Sequence, residues 1–201
     1  MKQYDLTAVL TSRYEDSPFD AVHSTDKQST YLTAKYLLTL GHERFAYVGG
    51  PCDASVEINR RNDFCLAMKE ANIFFDENYC FEMGFSEDAG YKFGRHFLSL
   101  DPKPTAVCCA NDLIAKGVIR FFREHMIAVP YDVSVTGIDN IDVGEETAFR
   151  LTTVDQNVEE LVERMMQLLI DRLEGSYEGP PREVIVNRRL ILGNSTCAPH
   201  I

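Results

Sequence analysis

A parallel α/β fold is the architecture this sequence predicts, and three observations predict it. Short apolar runs of strand type recur along the chain, each is followed by apolar residues at helical spacing, and glycines or prolines punctuate the joins. Parallel strands need crossover connections, so strands and helices alternating at this interval imply a parallel sheet wrapped by helices. At 201 residues the chain can bury a substantial core as one large domain or two small lobes.

The first strand is read at Thr7–Leu10, followed by a polar loop with Ser17-Pro18 and the short run Asp20-Ala21-Val22. From Tyr31, the residues Tyr31, Ala34, Leu37 and Leu38 mark one helical face, which Gly41 ends by supplying a left-handed residue. Phe45–Val48 reads as a buried strand stopped by Gly49-Gly50-Pro51. The alternation then repeats: a helix over Arg60–Asn72 with Phe64, Ala67, Met68 and Ala71 inward, a strand near Tyr79–Met83, and a helix capped by Ser86 with Glu87 and Asp88 in its first turn. A strand Thr105–Cys109, a helix Asp112–His125 and a strand Val133–Gly137 follow. After a loop come Leu151–Val154, a long helix Val158–Glu174 with Leu161, Met165, Leu168 and Leu169 inward, and a last strand Val184–Val186.

Composition narrows the function. The chain is 45% hydrophobic and has no low-complexity tract, as in folded globular proteins. No apolar run approaches the roughly 20 residues needed to span a bilayer, and Met1–Asp5 lacks the apolar segment of a secretory signal. A cytoplasmic protein with no membrane partner is expected. The six cysteines form no C-x-x-C pair and fit reduced thiols; Cys197-x-x-His200 falls in a tail expected to fray. A net charge of -11 opposes direct binding to a phosphate backbone.

The common catalytic and cofactor signatures are missing: no G-x-G-x-x-G after a strand, no G-x-x-x-x-G-K-[ST], no G-x-S-x-G and no H-E-x-x-H. A binding protein with no cofactor, no metal and no catalytic residues is therefore expected. In open α/β sheets ligands bind beyond the carboxyl ends of the strands, which selects Gly49–Ser55, Phe85, Asn111-Asp112 and Asp139. Arg60, Asn111 and Asp139 supply guanidinium, amide and carboxylate groups, and Phe85 an aromatic face. That set suits a neutral polyol such as a sugar. Composition and spacing alone leave plainer roles open: Asn111-Asp112 as a helix cap, Asp139 as a turn residue, Arg60 as a surface charge and Phe85 as core.

Resemblance separates these alternatives. The segments Gly41–Pro51, Pro104-Thr105-Ala106 leading to Ala110–Gly117, Val129-Pro130 to Gly137–Asn140, and Leu151–Gln156 closely resemble the effector-binding domain of lactose/galactose (LacI/GalR-type) transcriptional repressors, in that family's order and spacing. The resemblance runs from about Thr7 to Pro199. It implies a periplasmic-binding-protein-like type I fold of two parallel-sheet lobes with crossovers near Thr25, Asp155 and Asn187. Residues 1–24 and 155–186 then form an incomplete N-terminal lobe, and residues 25–154 and 187–201 the C-terminal lobe.

Carried to matching positions, the family's effector contacts are Arg60 as guanidinium clamp, Phe85 as stacking aromatic, and Asn111 and Asp139 as hydroxyl partners. The resemblance implies a small-molecule effector of sugar type, a homodimer, and operator DNA as a partner only in a form carrying a helix-turn-helix, which this chain is expected to lack. The competing readings are a transporter's sugar-binding protein, which would need an export signal, and a small α/β enzyme. For the latter the strand-end carboxylates Asp139 and Asp142 show no catalytic partner.

Overall fold

The computed structural model describes residues 6–11, 17–24, 29–141 and 148–200; Thr25 and Asp142 lie outside them. The chain divides into two compact units, Met1–Asp26 with Gln156–Arg189 and Lys27–Asp155 with Leu190–Ile201.

In the larger unit, four strands form a parallel sheet: β3 (Phe45–Gly49), β4 (Cys80–Glu82), β5 (Ala106–Cys109) and β6 (Ser134–Thr136), in spatial order β4-β3-β5-β6. Every residue of β3, β5 and β6 is buried, so these strands read as continuous apolar or small-residue runs without the alternation of a half-exposed sheet. Helix α1 (Ser29–Thr39) leads into β3, and α2 (Ser55–Glu70), α3 (Glu87–Phe97) and α4 (Asp112–Glu124) connect the four strands. The core is strongly aromatic: Phe64 lies edge-on to Phe75 at 4.8 Å between centroids, and Phe97 edge-on to Phe122 at 4.7 Å. Such pairs add to the burial of large apolar area.

Helices α3 and α4 pack backbone to backbone. A Cβ on Gly90 would fall 1.9 Å from the Ile114 carbonyl oxygen, and one on Gly117 would fall 1.9 Å from that of Glu87. Only glycine permits this crossing distance.

Two caps match the sequence expectation: Ser86 Oγ accepts from Ala89 N at 3.2 Å, and Asn111 Oδ1 accepts from Ile114 N at 2.9 Å. The start of α2 does not. The helix begins at Ser55, five residues earlier than the expected Arg60, because its N-cap Ala54 makes no side-chain hydrogen bond and gives no sequence signal.

The C-terminal segment is held in place, contrary to the frayed tail expected. Ser195 O accepts from Val135 N at 2.9 Å, and Ser195 Oγ donates to Val135 O at 2.6 Å. Buried His42 donates through Nε2 to Cys197 O at 2.9 Å, with Thr105 Oγ1 at 2.9 Å from Nδ1. Burial holds the His42 imidazole below its ordinary pKa, opposed by the hydrogen bond to the Cys197 carbonyl. A two-stranded sheet pairs β7 (Thr153–Asp155) with β9 (Arg189–Ile191), a strand missing from the sequence reading.

The smaller unit is a parallel sheet of β1 (Val9–Leu10), β2 (Asp20–Ser24) and β8 (Glu183–Val186), in order β1-β2-β8, with α5 (Val158–Leu173) packed on it. Its buried cluster is Val22, Leu168 and Val186. At its edge the fully buried Asp20 carboxylate receives Arg172 Nη2 at 2.8 Å, Arg182 Nη2 at 2.9 Å and Arg182 N at 2.7 Å. Burial opposes ionisation of Asp20, but hydrogen bonds from Arg172 and Arg182 outweigh it and bring the pKa down to about 2.

Candidate functional site

The order β4-β3-β5-β6 places β3, the first strand of its unit, between the second and third. The chain therefore passes from β3 to β4 on one side and then crosses back over β3 to β5 on the other, and the adjacent carboxyl ends of β3 and β5 form the switch point at which such sheets bind ligands. The four candidate residues follow from these strand ends: Arg60 from the helix after β3, Phe85 after β4, Asn111 after β5 and Asp139 after β6.

The structure brings Arg60, Phe85 and Asp139 together and sets Asn111 directly behind the carbonyl that Arg60 grips. Arg60 is 9% exposed, so it is not a surface charge. Its Nη1 donates to Ala110 O at 2.6 Å, its Nη2 to Asp139 Oδ1 at 3.3 Å, and its guanidinium carbon lies 5.9 Å from the centroid of the Phe85 ring. The Thr30 hydroxyl of α1 donates to the Arg60 carbonyl, tying the helix behind the guanidinium. Phe85 is half-buried rather than core and rests on Gly50, where a Cβ would fall 2.2 Å from its Cζ. A glycine at that position is what lets the ring lie against the backbone.

Asn111 is the α4 N-cap, as one plainer reading had it. Its carbonyl oxygen serves the helix, so the NH2 half of the amide is what it can offer a ligand. Asp139 is likewise a turn residue, with φ 115, followed by Asn140 with φ 55. Left-handed backbone at an aspartate costs on the order of 1 kcal/mol or more and persists only where surrounding bonds enforce it. Here Asp139 N donates to Val154 O at 2.9 Å, and the next residues are held by Asp112.

Asp112 has no exposed surface and collects three chain segments. Its Oδ1 accepts from Thr153 Oγ1 at 2.7 Å, its Oδ2 from Ile141 N at 2.9 Å, and its own N donates to Ile138 O at 2.8 Å. Burial raises its pKa to about 6, with the Thr153 hydroxyl and backbone donors opposing the rise. Sequence reading selected Asp112 with Asn111 at a strand end and as part of a helix cap, but not as the support of the Asp139 turn. It gave no sign of Glu57, a 1% exposed carboxylate that accepts from Tyr47 Oη at 2.7 Å and Gly50 N at 2.6 Å. Among the described residues no group of three or more His, Cys, Asp and Glu side chains could hold a metal ion, and no helix is long and apolar enough to cross a membrane.

Residues 34–196 match the family of periplasmic binding protein-like domains. The chain is 33% identical over 172 residues to the HTH-type transcriptional repressor PurR of Klebsiella pneumoniae (strain 342), an alignment covering 86% of this chain and 50% of that protein. It thus spans about half the length of the curated relatives it matches.

Among solved structures, it superposes on a LacI family transcriptional regulator from Enterococcus faecium with bound ribose (TM-score 0.81, 30% identity, 96% of this chain and 70% of that one). It also superposes on a transcriptional regulator CelR–cellobiose complex (TM-score 0.77, 27% identity, 93% and 58%). The chain belongs to the periplasmic-binding-protein-like family and, within it, is an effector-binding domain of the LacI/GalR type.

Proposed function

We propose that this chain senses a small neutral polyol, of sugar class, for a transcriptional regulator, and that Arg60, Phe85, Asn111 and Asp139 contact it. The observation that carries the reading is the convergence, from four different strand ends, of a guanidinium, a carboxylate and an aromatic face around Ala110 and Asn111. Sugar hydroxyls donate and accept at once, and the apolar face of a pyranose or furanose ring stacks on an aromatic one. Asp139 takes hydroxyl protons, the Asn111 NH2 gives one, and the Arg60 fork serves paired acceptor oxygens. The ribose and cellobiose bound to the two superposed regulators are of this class.

In this reading, residues 1–24 with 155–186 are the partial N-terminal lobe and residues 25–154 with 187–201 the C-terminal lobe. The regulator acts in the cytoplasm as a homodimer and reaches operator DNA through a helix-turn-helix carried by a longer form. The relatives' names as HTH-type transcriptional repressors support the helix-turn-helix. The chain's own net charge of -11 opposes direct contact with a phosphate backbone.

A thermal-shift screen with sugars tests the assignment. A sugar at 100 times its Kd stabilises the folded state by about 2.7 kcal/mol. Asp139→Ala should abolish that gain, measured from the variant's own unliganded melting point, which should itself fall because buried Arg60 loses its carboxylate partner. A screen in which only nucleobases or peptides raise the transition would overturn the sugar reading.

A further inference from the structure

Glu57 occupies the third position of α2, where in a capping box a glutamate reaches back to the N-cap backbone. Here it passes the cap and takes Gly50 N at 2.6 Å, four residues before Ala54, while its other oxygen accepts from Tyr47 Oη at 2.7 Å. A carboxylate in the first helical turn is favoured by the helix dipole. Burial, reinforced by the neighbouring Glu57 charge, pushes Tyr47 ionisation far up, so this phenol remains a donor. The approach is close enough that a Cβ on Gly49 would fall 2.1 Å from Glu57 Oε1. Strand β3, the loop after it and the first turn of α2 are therefore fixed to one another through a single side chain.

Two of the surfaces that hold Phe85 depend on that junction. Gly50 is the backbone on which the ring rests, with would-be Cβ distances of 2.2 to 2.5 Å to Cζ, Cε2 and Cε1. Arg60, one turn beyond Glu57 on the same helix, carries the guanidinium 5.9 Å from the ring centroid. Glu57 itself is 1% exposed and faces no solvent.

We propose that Glu57, anchored by Tyr47, is a positioning residue for the ligand site: it sets the Gly50 backbone against which Phe85 stacks and the helical turn from which Arg60 reaches over the ring. The proposal rests on the ligand-site reading given above for its functional meaning, whereas the coupling itself is measurable without ligand.

The experiment is NMR of the full, ligand-free chain, reading the ring-current shift that Phe85 imposes on the Gly50 Hα resonances, with Phe85→Leu marking its complete loss. Glu57→Ala should move these resonances most of the way to their Phe85→Leu positions. Glu57→Gln keeps an acceptor oxygen for Gly50 N and should restore at least half of the wild-type shift, and Tyr47→Phe should fall between the two. The amides of β5 and β6 should hold their wild-type positions throughout.

Wild-type Gly50 Hα shifts in Glu57→Ala would overturn the proposal. So would equal loss in the Ala and Gln variants accompanied by collapse of the β5 and β6 amides, because that pattern marks a general structural role. Should Glu57→Ala itself fail to fold, Tyr47→Phe and Glu57→Gln decide: unmoved Gly50 resonances in both refute the coupling. A failed sugar screen would remove the ligand assignment and leave this result standing, so the two failures are distinguishable.

Discussion

The two units of this chain are built on the same β-α alternation, yet they hold together by different means. The larger buries an aromatic core, with Tyr47, Phe64, Phe93, Phe121 and Phe122 almost wholly removed from solvent. The smaller buries Val22, Leu168 and Val186, and adds a carboxylate gripped by two arginines, each also stacked on Tyr177 at 4.7 and 4.0 Å. Its helix α5 meanwhile exposes an apolar row, Val158, Val162, Met166, Ile170 and Leu173, each at least 40% exposed. Apolar burial is non-directional and scales with area, whereas an ion cluster depends on geometry and on pH. The difference teaches where each unit should be fragile: the larger to loss of volume, the smaller to loss of charge.

The largest effect should come from Phe64→Ala, which empties the centre of the aromatic core and should cost about 3–5 kcal/mol in denaturant unfolding of the larger unit. Next, Asp20→Ala leaves Arg172 and Arg182 without their shared partner. Because both guanidiniums reach solvent, roughly 2–3 kcal/mol is expected, below the full cost of stranding a buried charge. Hydrogen exchange should show the loss confined to β2, β8 and α5, and acceleration in β3 and β5 as well would erase the distinction between the units.

Gly117→Ala forces α3 and α4 apart against a backbone oxygen, and a loss of about 1–3 kcal/mol should appear in the same assay. The smallest effects concern pH. The depressed pKa of Asp20 means its contribution is whole above about pH 4 and is lost as pH falls through about 2. Asp112 has the opposite sign: its pKa, raised to about 6, makes stability decline as pH rises from about 4 to 6. Asp112→Asn should flatten that decline, whose slope cannot exceed about 1.4 kcal/mol per pH unit; an unchanged slope in the variant would place the titration elsewhere.

Sequence reading recovered the elements that carry strong local signals. Phe45–Gly49 and Ala106–Cys109 are wholly buried, so their apolar runs are unbroken, and α3 and α4 open on side-chain caps. It failed where structure depends on distant partners. Strand β9 exists by pairing with β7 across more than thirty residues, and the tail is fixed by His42 and Val135 rather than by its own sequence.

At the candidate site, the strand-end rule pointed to Phe85, Asn111 and Asp139, which follow β4, β5 and β6, whereas Arg60 lies inside α2 and its role as a clamp came from the resemblance. Glu57 and Asp112 were missed as supports because their bonds run inward to Tyr47, Gly50, Thr153 and Ile141, and a carboxylate that serves the backbone looks in sequence like one that faces water. A tyrosine two residues before a Gly-Gly strand end, with a glutamate soon after, was the one faint signal on offer.

The node at Asp112 also bears on how a signal would leave the site. The Asp112 carboxylate and amide join the first residue of α4 to Ile138, just before Asp139, to Ile141, two residues after it, and to Thr153, whose neighbour Val154 accepts from Asp139 N. Asp139 is thus tied to the start of α4 through a few hydrogen bonds. The turn that carries Asp139 and the crossing of α3 and α4 thus meet on one 13-residue helix, whose first residue holds the turn and whose Gly117 lies against the Glu87 carbonyl.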